Sequence, residues 1–362
     1  MYINFWYPIC TSAELGDEKP VRAQVLKTRF AAFRDSNGRA HVLSDTCVHR
    51  GGALGNGKIQ GDCIQCPYHG WQYDADGRCR KIPAINGKKP PARAKVDSYP
   101  VQERYGIVFA FLGDLPEEER PPLSEIPEYD KDGWRPSDVE IIELNAYYER
   151  SMENGLDPAH NEFVHPLQGS PAFDHERVAY DDMPWGTRTY TVGAPERQGE
   201  TELQALRSDQ NDVWAESWTH GPNALVTAIH LSKTNDFVQY FYEQPVDENH
   251  TRIFFINTRN CMLEPENDEN IKRINLNVAE EDIAVIEALF PVRTPDSRTK
   301  ELLGVGDENI VRFREWLDGW RDKGWRIDLQ ALRERPDNAA YAIPSPARRK
   351  SGNWVLDSIP LM

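Results

Sequence analysis

The chain has 362 residues, a net charge of −16 and 39% hydrophobic residues, which suits about two domains with ample core and argues against nucleic acid as a partner. Its six Cys are scattered, the opening Met1–Cys10 has no basic stretch, and the longest clean apolar run is only Ile107–Leu112. Disulfide frameworks, signal peptides and bilayer spans are therefore not expected, and a reducing cytoplasm is the natural compartment.

Short strands are expected first, at Val21–Leu26, Ala31–Arg34 and His41–Leu43, with the turn Ser36-Asn37-Gly38 closing a hairpin. Next comes Cys47-Val48-His49-Arg50-Gly51-Gly52, and with sixteen residues between His49 and Cys66 there follows Cys66-Pro67-Tyr68-His69-Gly70-Trp71. Each loop offers one thiolate and one imidazole. A zinc finger keeps its two Cys on one loop and its two His on another, so structural zinc fits poorly. The split suits a two-iron, two-sulfur cluster, with Cys47 and Cys66 on one iron and His49 and His69 on the other. Cys63 also forms a C-x-x-C with Cys66, but a redox dithiol would leave both histidines unexplained, and Cys63 reads as a buried small hydrophobe.

C-x-H, sixteen residues, then C-x-x-H resembles the Rieske pattern. Electron-carrier Rieske proteins add a Cys to each loop and join the two by a disulfide. Here those places read Gly52 and Tyr68, so the likeness is to the soluble ring-hydroxylating and demethylating oxygenases. From Cys47 to Lys95 there are nine Lys or Arg against three acids. This is either a solvated loop surface or a basic collar suited to an acidic electron carrier. Strands at Trp71-Gln72-Tyr73, Tyr99–Val101 and Tyr105–Leu112 complete an all-β domain, placed at residues 1–115. The acid- and Pro-rich Gly113–Pro136 reads as the linker.

The second domain, 116–362, is expected to mix elements. Ile141–Asn145 reads as a strand, and Tyr147–His165 contains a helix. Thr189–Asn260 is strand-like, with Phe237–Glu243 and Thr251–Thr258 paired through Gln244–His250. Helices follow at about Asp268–Phe290, stopped by Pro291, and at Glu308–Lys323. The tail after Arg335 ends in Trp354-Val355-Leu356, which should pack back onto the protein.

Asp157-Pro158-Ala159-His160 through His165 spells D-x-x-H-x-x-x-x-H. Two His five apart do not share a helical face at about 100° per residue. Pro158 and Pro166 bracket them, however, so the backbone need not be regular and the rings can converge on one ion. A facial triad needs a carboxylate as third ligand. On the Asp268 helix the apolar stripe is read as Ile271, Ile274, Val278, Val285 and Leu289. Asp282 falls on it, Glu281 lies on its margin, and Glu280 points away. A carboxylate on a buried stripe is costly unless paired or bound to metal, which favours Asp282; Glu281 remains the alternative.

In the Rieske oxygenases the His spacing holds a mononuclear non-haem iron, and the matching positions are His160 and His165. The run Glu281-Asp282-Ile283, with Pro291 beyond, is similar to the third-ligand region of vanillate-demethylase-like members. Gln102–Gly106 adds weaker likeness. The resemblance implies that Asn154 sits beside the iron. It also implies that Asp157 hydrogen-bonds an iron His and a Rieske His of the neighbouring subunit in a ring of three.

The expected architecture is therefore α+β, an all-β Rieske domain followed by a helix-grip (START-like) domain with an antiparallel sheet around a long helix. The implied activity is that of an oxygenase component. It would use O2, and electrons from NAD(P)H through a separate reductase or ferredoxin, to hydroxylate or demethylate a small organic substrate. No nucleotide-binding glycine motif is present to replace that donor. A Rieske electron carrier with a non-catalytic second domain is the rival reading. It needs neither D-x-x-H-x-x-x-x-H nor Asp282. Trp214, Trp218, Phe237, Tyr240 and Tyr242 are left open between pocket lining and sheet core.

Overall fold

The computed structural model describes residues 1–165, 172–193, 213–335 and 338–362. Pro166 and the 194–212 part of the expected sheet lie outside them. The chain divides into two compact units, Met1–Leu123 with Trp320–Met362, and Ser124–Gly319. The sequence reading gave the C-terminal stretch to the second domain, whereas here it packs with the first. The contacts responsible join residues far apart in the chain. The fully buried Asp97 takes both Arg348 Nε and Nη2 at 2.7 Å and Ser345 Oγ at 2.7 Å, and Tyr99 Oη donates to the Ile343 carbonyl at 2.7 Å. Trp354 does pack back, under the Lys95 ammonium at 4.0 Å, and Leu356 is buried, while Val355 stays 38% exposed.

The first unit holds three antiparallel sheets. One orders Phe5–Thr11, Ile107–Leu112 and Val101–Arg104; another orders Val21–Val25, Thr28–Arg34, Ala40–Ser44 and Ser98–Tyr99. A third, of three-residue strands (Lys58–Gln60, Cys63–Gln65, Gln72–Asp74, Cys79–Lys81), carries the second Cys–His loop. Two of its hairpin signals share one chemistry. In Asp35–Arg39 and Asp74–Arg78 the Asp carboxylate accepts the N–H groups two and four residues on, and a glycine at φ +75° or +74° turns the chain.

In the second unit one antiparallel sheet runs Arg135–Pro136, Thr251–Arg259, Asp236–Pro245, Ala224–His230, Val213–Thr219, Gly186–Gly193 and Val178–Met183, with Glu140–Leu144 also pairing with Thr251–Arg259. The helix Asp268–Ile286 lies on one face. Its Leu276, Ala279, Ile283 and Ile286 pack against Ile142, Leu144, Phe241, Ile253 and Phe255, and Ile271 packs against Ile229 and Phe237. This corrects the expected stripe. Val285 and Leu289 are 42% and 39% exposed, because the sheet meets the helix one position further round. The helix also stops at Ile286 rather than Phe290. Glu287 Oε1 accepts from Asn145 N and Nδ2, and the chain unwinds through i→i+3 bonds.

The expected helix over Tyr147–His165 is two pieces, Tyr148–Leu156 and Asn161–Val164. Pro158 forces the residue before it out of the helical region, and Asp157 accordingly sits at φ −93°, ψ 108°. The first piece is clamped by buried polar partners. Arg314 Nε and Nη2 donate to Glu153 at 2.6 and 2.9 Å, and Ser151 Oγ donates to Glu243 at 2.6 Å.

Burial pushes the Glu243 carboxyl up to about 8, outweighing the hydrogen bond from Ser151, which acts to lower it. In the unfolded chain it ionises near 4.3. The folded state thus holds a proton the unfolded state has lost, and stability should fall as pH rises between these values. Glu243→Gln should abolish that slope, worth about 1.4 kcal/mol per unit of pKa difference. Denaturant titrations at pH 5 and 8 check this: an unchanged slope in the variant refutes it.

Candidate metal centres

The two Cys–His loops are closed by one shared frame. In each, the Cys N–H donates to the carbonyl five residues on (Cys47 to Gly52, 2.9 Å; Cys66 to Trp71, 2.8 Å). The glycine four residues on donates back to the Cys carbonyl (Gly51, 2.9 Å; Gly70, 3.1 Å). Gly51 and Gly70 sit at φ +70° and +71°, where a side chain would be strained. A Cβ on Gly52 would come within 2.8 Å of Cys66 Sγ, so the loops meet without room for one.

Cys47 and Cys66 are each 2% exposed, and Tyr73 Oη lies 3.1 Å from Cys47 Sγ. Burial pushes the Cys47 thiol up to about 11, so the thiolate form needs cationic metal beside it. His49 and His69 are exposed, with ring centroids 4.4 Å apart, and Trp71 stacks on His49 at 4.7 Å. Buried sulfur and outward imidazole are the donor set a [2Fe-2S] cluster with two Cys and two His requires. Cys63 is half-buried rather than buried.

The second constellation joins two elements. His160 and His165 flank the short helix Asn161–Val164 at its two ends, so the five-residue spacing is bridged by a single turn. Each histidine has one ring nitrogen occupied. His160 Nδ1 lies 2.5 Å from the Asp157 main-chain carbonyl, and His165 Nδ1 lies 2.8 Å from Glu281 Oε2. The other nitrogens turn to Asp282: Oδ1 is 3.4 Å from His160 Nε2 and 3.1 Å from His165 Nε2. One ligand atom from each of His160, His165 and Asp282 falls within a mutual 4.8 Å. Two imidazoles and one carboxylate are the donors of a non-haem ferrous site.

Asn154 Nδ2 donates to Asp282 Oδ1 at 2.9 Å. Burial raises the Asp282 carboxyl, but the donors His160, His165 and Asn154 outweigh it and hold the group well below the usual carboxylate range. Burial likewise lowers His165, and Asp282 and Glu281 together outweigh it upward. Asp157 is pushed up by burial. Its Oδ1 accepts from Ala159 N at 2.7 Å, while Oδ2 is 4.0 Å from His160 Nδ1.

The anchoring of His160 by a main-chain carbonyl has no side-chain signature and was not readable from the sequence. Of the five aromatic residues left open, only Phe237 shares the helix-facing side of the sheet. By register Trp214, Trp218, Tyr240 and Tyr242 face the other way. There Trp214 stacks on His230 at 4.6 Å and Tyr242 Oη donates to the Ser124 carbonyl. No helix among the described residues is long and apolar enough to cross a membrane.

Residues 5–100 match the Rieske [2Fe-2S] domain, and residues 144–323 match the vanillate O-demethylase oxygenase C-terminal domain. A methylxanthine N1-demethylase of Pseudomonas putida is 29% identical over 87% of this chain and 88% of its own length. A 5,5'-dehydrodivanillate O-demethylase oxygenase subunit of Sphingobium is 25% identical over 68% of this chain and 55% of its own. Among solved structures, that Pseudomonas putida demethylase with caffeine superposes with a TM-score of 0.74 at 26% identity, covering 89% of this chain and 91% of the other. The fold of dicamba monooxygenase is shared as well, with a TM-score of 0.72 at 21% identity, over 92% of this chain and 99% of the other.

Proposed function

The chain belongs to the Rieske non-haem iron oxygenases, and on that premise we propose that it oxidatively demethylates a small methylated ring compound at the site formed by His160, His165 and Asp282. As an oxygenase component it carries a [2Fe-2S] cluster and a mononuclear non-haem iron, and uses O2 and NAD(P)H-derived electrons. The observation that carries the assignment is the convergence of His160 Nε2, His165 Nε2 and Asp282 within a chain that also bears the paired Cys–His loops. Demethylation, rather than ring hydroxylation, is favoured by the vanillate-demethylase match over residues 144–323 and by the demethylases among its relatives.

When bound, the cluster relays single electrons and the iron activates dioxygen. The chain's own residues prepare that chemistry. The Asp157 carbonyl and the Glu281 carboxylate hold the two Nδ1 protons, so both Nε2 lone pairs aim inward. Asn154 fixes Asp282 by its Oδ1 and leaves Oδ2 for other contacts. We assign Cys47, Cys66, His49 and His69 as cluster ligands.

The assembly we propose is a homotrimer in the cytoplasm. Supporting it, both cluster histidines are exposed, and Phe163, between the two iron histidines, is 78% exposed. Both rims thus offer surface to a neighbouring chain. Of the basic collar, Arg50, Lys58, Lys81, Lys88 and Lys89 are exposed around the cluster loops, suited to an acidic reductase or ferredoxin.

The test is turnover of metal-loaded protein with such a donor, following oxygen uptake and formaldehyde from methoxy- and N-methyl-substituted rings. Formaldehyde stoichiometric with oxygen supports demethylation. Hydroxylated product that retains its methyl group, or cluster oxidation without substrate turnover, refutes it. At limiting donor, the rate should drop about tenfold when salt is raised severalfold above physiological strength, where the Debye length is already about 8 Å. A flat response removes the collar from donor docking.

A further inference from the structure

One arginine joins the two segments that carry Asn154 and Asp282. Arg150 lies on the helix Tyr148–Leu156, with a side chain only 10% exposed. Its Nη2 donates to the main-chain carbonyls of Pro291 at 3.0 Å and Arg293 at 3.4 Å. Its Nη1 donates to Glu301 Oε1 at 2.8 Å. Pro291 and Arg293 stand five and seven residues beyond Ile286, where the long helix Asp268–Ile286 ends. A single guanidinium thus grips the chain leaving that helix, by two carbonyls near its start and by a carboxylate further on.

Further buried charge braces the grip. Arg314, on the helix Glu308–Asp322, donates to Glu153, and its Nη2 lies 2.8 Å from Glu301 Oε2. Arg150 Nη1 also lies 3.7 Å from Glu153 Oε2. Two guanidinium groups face two carboxylates, so the buried charges compensate one another. Such a group is a poor source of net stability compared with apolar side chains of similar volume. What its forked, charge-assisted bonds supply is a fixed distance and direction between the elements they join.

The place of the grip says which distance that is. Asn154 follows Arg150 by four residues, one turn or about 6 Å along the helix and on the same face. Asn154 Nδ2 donates to Asp282 Oδ1 at 2.9 Å. Asp282 itself stands four residues before Ile286, in the last turn of its helix. The two links are therefore successive rungs between the same two segments. One rung ends on the carboxylate of the metal constellation, and the other on the chain just beyond it.

We propose that Arg150 is a positioning residue of the iron site. It holds the helix bearing Asn154 against the chain that leaves the helix bearing Asp282, and so fixes the Asn154–Asp282 bond that orients the carboxylate. It touches neither metal nor substrate. The inference rests on the reading of His160, His165 and Asp282 as the iron site.

The test is the affinity for mononuclear ferrous iron, by chelator competition, in Arg150→Lys, Asn154→Ala and the double variant, with the unfolding midpoint measured on the same preparations. Arg150→Lys keeps the buried charge balance. It replaces a planar fork by a point charge that cannot hold two carbonyls and a carboxylate together. Each single change should weaken iron binding by about tenfold, the lower end for outer partners. The double variant should also lose about tenfold rather than the product of the two losses, because both residues act through one bond. The EPR signal of the ferrous site treated with nitric oxide should change alike in all three, as the carboxylate turns.

Wild-type affinity and EPR signal in Arg150→Lys, or fully multiplied losses in the double variant, would overturn the proposal; a fall in the unfolding midpoint alone would leave Arg150 a role in the fold only. Should Arg150→Lys not fold, Glu301→Gln, which loosens the same grip and keeps its shape, is held to the same outcomes. Failure of the unaltered protein to bind ferrous iron sinks the iron-site reading itself, whereas normal binding there and in Arg150→Lys sinks the positioning role alone.

Discussion

Asp282→Ala is expected to strip the mononuclear iron while the visible spectrum of the cluster stays intact. The carboxylate is the common point of the constellation, within 3.4 Å of both histidine Nε2 atoms and hydrogen-bonded by Asn154. Without it two neutral imidazoles remain, and among the described residues the constellation loses its anionic donor to a divalent cation. The loss in iron affinity should exceed the ten- to hundredfold typical of outer partners, and activity should fall below detection. Glu281→Ala provides the contrast. Its carboxylate sits on His165 Nδ1, the nitrogen turned away from Asp282. Removing it frees the ring to rotate and should weaken iron by about ten- to hundredfold without abolishing it. Iron analysis with activity on both variants decides. Full occupancy in Asp282→Ala alongside loss in Glu281→Ala would exchange the two roles.

Asp157→Asn should keep both metals and yet slow electron delivery to the iron site by about a hundredfold. The main-chain carbonyl of Asp157, which survives the change, holds His160. Oδ1 accepts from Ala159 N at 2.7 Å, and an Asn carbonyl can do the same. The substitution therefore alters only Oδ2, which stands 4.0 Å from His160 Nδ1 on a side chain 25% exposed. If that oxygen accepts the N–H of His69 from a neighbouring subunit, an amide nitrogen placed there repels the donor it should bind. If Asp157 serves only to shape the turn, the variant is nearly silent. Single-turnover oxidation of the pre-reduced cluster, with substrate and oxygen present, reads the step directly. Wild-type speed ends the bridging role, and a fully active monomer ends the inter-subunit route altogether.

The candidate metal donors were legible because such donors are few in kind and their spacing is local. Cys47–His49 and Cys66–His69 announce themselves within six residues each, and Pro158 told that His160 and His165 need not obey helical projection. Asp282 was reached through a stripe whose later half is exposed in the structure, at Val285 and Leu289. Asp282 nevertheless comes within reach of both histidines, because residues 278, 282 and 285 form the flank beside the sheet-facing side. The position of the tail was not legible. It depends on Asp97 meeting Arg348 and Ser345, which share no local pattern.

The paired frames that close the two Cys–His loops have a consequence for the speed of charge movement. Each loop is held by reciprocal main-chain hydrogen bonds and a left-handed glycine, so the backbone that carries the four donors is braced before any electron arrives. A centre whose ligands need not shift between oxidised and reduced states has a small reorganisation energy. Transfer through it then requires little driving force. The solvent side of the centre, where His49 and His69 are exposed, is left as the main source of that energy. Covering those two rings with another protein surface would lower it further, so a partner that docked there would also make the hop intrinsically faster.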